Sequence, residues 1–117
     1  MLIMKTFLLR MLGETYVSIG MVDGIKVIER MSGLSVSAPE YSHSPNRTYA
    51  IMQEGKLKYL AFYDSHHKQV KVIDFMHKHF GICPHVHYNL DHSDKGITPS
   101  EDDWTLIRKL KKGLRVK

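Results

Sequence analysis

A chain of 117 residues is long enough for one hydrophobic core and too short for two, because two cores of that combined length would each bury too little apolar surface to offset chain entropy. With 43% hydrophobic and 25% charged residues it has the balance of a folded globular protein, which excludes a disordered tail. Lys, Glu, Asp or His breaks every apolar run well short of the roughly 18 residues of a membrane span, so no membrane partner is expected.

The net charge of +5 makes a polyanion such as RNA the natural partner. Cys83 is the single cysteine, which leaves no intramolecular disulfide and suits a reducing, cytoplasmic setting.

The first dozen residues, MLIMKTFLLRML, are apolar, but Lys5 and Arg10 split the run and no small-residue cleavage site follows, so they are expected to belong to the domain. A strand over 5–11 is predicted there, with Gly13 and Glu14 at the turn that follows. Two β-rich runs then flank Asp23-Gly24 in YVSIGMVDGIKVIER (16–30), and that dipeptide supplies the positive φ angles of a type I′ turn, which predicts a hairpin. From Ser32 to Asn46 the chain is rich in Ser, Pro and Gly. Long loops in compact domains are usually mobile or functional, so Tyr41, Ser42, His43 and Arg47 are candidates, Tyr41 and Arg47 for substrate binding.

Three strand-like runs follow, at 48–52, 57–63 and 70–75, joined by Glu54-Gly55 and by the polar Asp64-Ser65-His66-His67-Lys68. They predict a meander with one face in the core, and in the middle run Leu57, Tyr59, Ala61 and Tyr63 alternate with Lys58, Leu60 and Phe62. His66 and His67 are expected as solvated turn residues. The last element is a helix, with Thr98 as N-cap, Pro99 at its first position, Glu101 closing a capping box and Gly113 ending it. Glu101, Asp102 and Asp103 at its start and Arg108, Lys109, Lys111 and Lys112 at its end match the helix dipole. Trp104, Leu106, Ile107 and Leu110 would pack it on the sheet.

The expected fold class is therefore α+β, a mainly antiparallel sheet built from a hairpin and a three-stranded meander with one C-terminal amphipathic helix. A single domain covers 1–117, with an N-terminal strand and hairpin at 1–31, a loop at 32–46, and the histidine-rich core and helix at 47–117.

Chemistry concentrates in DFMHKHFGICPHVHYNLDH (74–92), where five of the eight histidines occupy nineteen positions. His77 and His79 are two apart, as are His85 and His87, and residues two apart on a strand share a face. Gly81 and Pro84 between the pairs allow a turn that would bring both forks into one pocket. Such a pocket has three readings. Neutral imidazoles of His77, His79, His85 and His87 bind zinc, with Asp74, Asp91, His92 or Cys83 available to complete the shell. Alternatively, two histidines act as general base and acid in cleaving RNA, with Lys78 or Arg47 steadying the phosphorane charge. In the third, the rings simply pack at a sheet edge. The lone Cys83, between Ile82 and Pro84, reads as a small packing residue.

From Pro45 to about Lys112, several pieces resemble a C-terminal domain shared by phage head-morphogenesis (minor head) proteins and bacterial polymorphic toxins: GKLKYLAFYD (55–64), the VKVID strand (70–74), the H-x-H after it and PHVH (84–87). The resemblance implies a phage- or mobile-element effector with nuclease activity and a host or immunity-type protein as partner. On the matching positions it carries over Asp74, His77, His79, His85 and His87, with Tyr63-Asp64 structural. The H-x-T pairs of two-histidine phosphoesterases and the H-E-x-x-H helix of zinc proteases are absent. Two functions are thus expected from different classes, a small RNA-cleaving enzyme or a non-catalytic interaction module stapled by zinc.

Overall fold

The computed structural model describes residues 7–11, 14–30, 38–76, 83–89 and 97–115. Seven strands lie side by side in chain order: β1 (Phe7–Met11), β2 (Glu14–Val22), β3 (Ile25–Arg30), β4 (Thr48–Gln53), β5 (Lys56–Tyr63), β6 (Gln69–Asp74) and β7 (His85–Tyr88). One helix, α1 (Glu101–Leu114), follows them. The class is α+β, as expected.

Asp23 (φ 48°) and Gly24 (φ 79°) both take the left-handed conformation between β2 and β3, which is the geometry the Asp-Gly dipeptide predicts. Glu54 (φ 53°) and Gly55 (φ 75°) repeat it between β4 and β5. Neighbouring strands are antiparallel except β3 and β4, which run parallel with Ile28 beside Ile51. A parallel neighbour requires the chain to cross back to the same end of the sheet, and the connection between Arg30 and Thr48 makes that crossing.

Both faces of the sheet are buried, where the sequence pattern predicts one. On one face Val27, Ala50, Leu60, Ile73 and Val86 pack with Ile107, Leu110 and Leu114 of α1. On the other, Tyr16, Ile28, Tyr49, Ile51, Tyr59, Ala61, Tyr63 and Val72 form a second cluster. A bulge at Lys58, where Ile51 pairs Tyr59 but Met52 pairs Leu57, moves Leu57 to the helix side and leaves Tyr59, Ala61 and Tyr63 on the second face.

Residues 38–46, within the expected loop, are strapped over one end of that second face. Tyr63 Oη donates to the Pro39 carbonyl, and Gln69 Nε2 donates to the same oxygen at 3.0 Å. Ser42 N donates to the His67 carbonyl at 2.8 Å, and His67 Nδ1 lies 3.1 Å from the Ser42 carbonyl. His67 is thus half-buried and holds the strap, whereas His66 is exposed as expected. The rest of the predicted loop, 32–37, lies outside the described residues.

Two corrections concern α1. Its N-cap is Ser100, whose side chain accepts from Asp103 N while the Asp103 carboxylate accepts from Ser100 N. Thr98 and Glu101 do not form the box. Gly113 lies inside the helix, which is capped by Arg115 in the left-handed conformation (φ 59°). The glycine has a packing role instead, since a Cβ there would overlap Val22 Cγ1 of β2.

Candidate acid–base site at the end of β6 and β7

Asp74 is the last residue of β6 and faces His85, the first of β7, while Val72 faces His87. Ile73 and Val86 between them belong to the core under α1. Alternation therefore sends Asp74, His85 and His87 to the opposite face. His85 Nε2 stands 3.8 Å from Asp74 Oδ2, too long for a hydrogen bond and within ion-pair reach once the imidazole is protonated. The His85 and His87 rings meet edge to face, with centroids 4.7 Å apart at 89°. Asp74 Oδ1 accepts from Met76 N at 2.8 Å, which orients the carboxylate as the strand ends. All three side chains are buried, His85 most completely at 2% exposure.

A carboxylate beside one imidazole and a second imidazole against the first is an arrangement that can take up and release protons. The fork predicted for His85 and His87 is thus present, with Asp74 where the sequence places a partner. His77, Lys78, His79, Asp91 and His92 lie outside the described residues, and so does half of the expected four-histidine pocket. Among the described residues no group of three His, Cys, Asp or Glu is disposed to hold a metal ion.

Tyr41 and Arg47 are not brought to this site. Tyr41 bridges to Lys68 at the start of β6, the opposite end from Asp74, and is exposed. Arg47 precedes β4, with its carbonyl accepting from Tyr63 N. It is near enough to Lys26 that its charge, after burial, lowers the pKa of the Lys26 ammonium. Cys83, expected to be packed, is exposed, with its thiol 3.5 Å from the Phe75 carbonyl. The basic end of α1 covers the other face of the sheet from the histidines.

The structure adds residues that the sequence reading passed over. Tyr59 faces Asp74 from β5. The same face continues through Tyr63 and Tyr49, whose rings meet edge to face at 5.6 Å, to Tyr16 and Arg30 opposite one another on β2 and β3. Burial, then the Asp74 charge and Tyr16, push the Tyr59 phenol up to about 12. Burial also pushes Tyr63 up, against the lowering effect of its hydrogen bond with Gln69 and with the help of Tyr16 and Tyr49. The Tyr49 hydroxyl is buried with no hydrogen-bond partner among the described residues. At neutral pH Tyr59 therefore presents a protonated phenol beside Asp74, and Tyr63 another farther along the same face. Tyrosines at alternate positions, Tyr59 and Tyr63, were the available signal for it.

Compared with protein-family models, with curated proteins and with solved structures, the chain has no match in any of the three.

Proposed function

We propose that the protein is a small RNA-cleaving enzyme in which His85 and His87 do the acid–base work and Asp74 positions His85. The observation that supports this most is the carboxylate–imidazole–imidazole line across β6 and β7. In the proposed reaction a neutral imidazole takes the 2′-hydroxyl proton, and the 2′-oxygen attacks phosphorus. The bond to the 5′-oxygen breaks, and a protonated imidazole returns a proton to that oxygen. Asp74 would pair with the imidazolium that forms on His85. The chain's excess of basic charge suits a polyanionic substrate.

The likeness of the 45–112 stretch to the phage head-morphogenesis and toxin domain supports a phage- or mobile-element setting. A host or immunity-type protein as partner and action in the cytoplasm belong to the same reading.

RNA cleavage by the wild-type protein and by Asp74→Asn, His85→Gln and His87→Gln tests the proposal, with a thermal melt of each variant to establish folding. Either histidine substitution is expected to lower the rate by about 10²- to 10⁴-fold in a folded protein. Folded variants that cleave like the wild type would sink the reading. Elemental analysis of the same samples separates the alternative. Near-stoichiometric zinc in the wild type, lost in the doubly substituted His85→Gln, His87→Gln protein, would make these histidines part of a zinc-stapled interaction module.

A further inference from the structure

A cleft opens at the end of the sheet, on its α1 side, formed by the β4–β5 turn, the exit of β6, the entry to β7 and the helix. Its volume is about 610 Å³, and its floor and walls include Leu57, Phe75, Met76 and Pro84, with Lys56 and Lys111 as its cations. Phe75 and Met76 immediately follow Asp74, and Cys83 and Pro84 immediately precede His85.

Lys111 Nζ lies over the Phe75 ring, 5.5 Å from its centroid, and among the described residues neither ammonium has a carboxylate partner. Lys71 provides a contrast, since its ammonium is paired with Asp103 at 2.5 Å. An apolar floor flanked by two cations with no carboxylate partner among the described residues is complementary to a ligand that joins a flat, weakly polar ring to a phosphate.

We infer that this cleft is a nucleotide subsite: the base of one residue of single-stranded RNA lies on the floor of Leu57, Met76 and Pro84, and its phosphate lies between Lys56 and Lys111. The inference deepens the proposed function and rests on it for the identity of the polymer, though the binding site itself is testable without any cleavage.

Cys83 lines the same cleft, is exposed, and is the only cysteine in the chain, so its rate of alkylation by iodoacetamide reports occupancy directly. Adenosine monophosphate at about ten times its Kd is expected to slow that reaction on the order of tenfold. Inorganic phosphate and a short acidic peptide at the same concentration should leave it unchanged, and the Lys56→Glu, Lys111→Glu protein should lose the protection while keeping the wild-type melting temperature. Absence of protection by the mononucleotide in the wild type overturns the inference. So does equal protection by phosphate or by the peptide, and so does protection that survives the double charge reversal. Protection in a protein that cleaves no RNA would keep the nucleotide site and remove the enzyme reading. Cleavage without protection would do the reverse.

Discussion

Tyr59 shows how burial converts a common side chain into a conditional stabiliser. Its phenol is buried on the face opposite α1, near the Asp74 carboxylate, and these surroundings disfavour the phenolate and raise its pKa from 10.0 to about 12. A folded-state pKa above the unfolded one contributes stability that is complete below pH 10 and is lost as pH rises toward 12. Tyr63, pushed up by burial in the same way, adds to the loss. The midpoint of urea unfolding should therefore fall steeply over that interval. In Tyr59→Phe the fall should be shallower, because one of the two perturbed phenols no longer titrates. A Tyr59→Phe curve parallel to the wild type would show that the phenol is not where its ionisation opposes folding.

Among the elements, α1 was the most legible in the sequence, and its start was still misplaced. Both Thr98-Pro99-Ser100-Glu101 and Ser100-Glu101-Asp102-Asp103 fit the spacing of a capping box. What decides between them is a tertiary contact invisible to local pattern. Asp103 accepts from the Lys71 ammonium of β6 as well as from Ser100 N. Burial pushes the Asp103 carboxyl up, but Lys71 and Ser100 together outweigh it and hold the group below its ordinary value. The helix thus begins where its first turn can be tied to the sheet. Ser100→Ala should cost about 0.5–2 kcal/mol, while Thr98→Ala should be close to neutral, both read from chemical denaturation. Equal costs would restore the cap to Thr98. The hairpin at Asp23-Gly24 was legible for the opposite reason, since two left-handed residues in succession are a local requirement that few dipeptides meet.

At the scale of the whole molecule, what escaped the sequence is what depends on long-range placement. The alternation of β5 was readable, but a polar-looking face reads as solvent-facing, so the burial of Tyr16, Tyr49, Tyr59 and Arg30 on a second face could not be seen. The parallel pairing of β3 with β4 likewise carries no local mark. Side-by-side histidines were foreseen because period two is intrinsic to a strand, whereas the distance of Tyr41 and Arg47 from them is set by the sheet's two ends.

Placement also divides the basic charge of α1, and this gives a test that net charge cannot mimic. Lys111 lines the cleft beside Phe75, while Lys109 and Lys112 border a separate depression with Met21, Asp23 and Arg115 at the β2–β3 turn. Lys109→Glu, Lys112→Glu and Lys56→Glu, Lys111→Glu change the net charge equally. At physiological ionic strength fields between exposed charges fade over about 8 Å, so the first pair should leave the apparent affinity of Cys83 protection by adenosine monophosphate within about twofold of wild type. The second pair should abolish protection, because its ammonium groups would touch the phosphate. If both pairs weakened protection to the same degree, the attraction would belong to the protein's overall field, and the cleft would have no specific claim on the nucleotide.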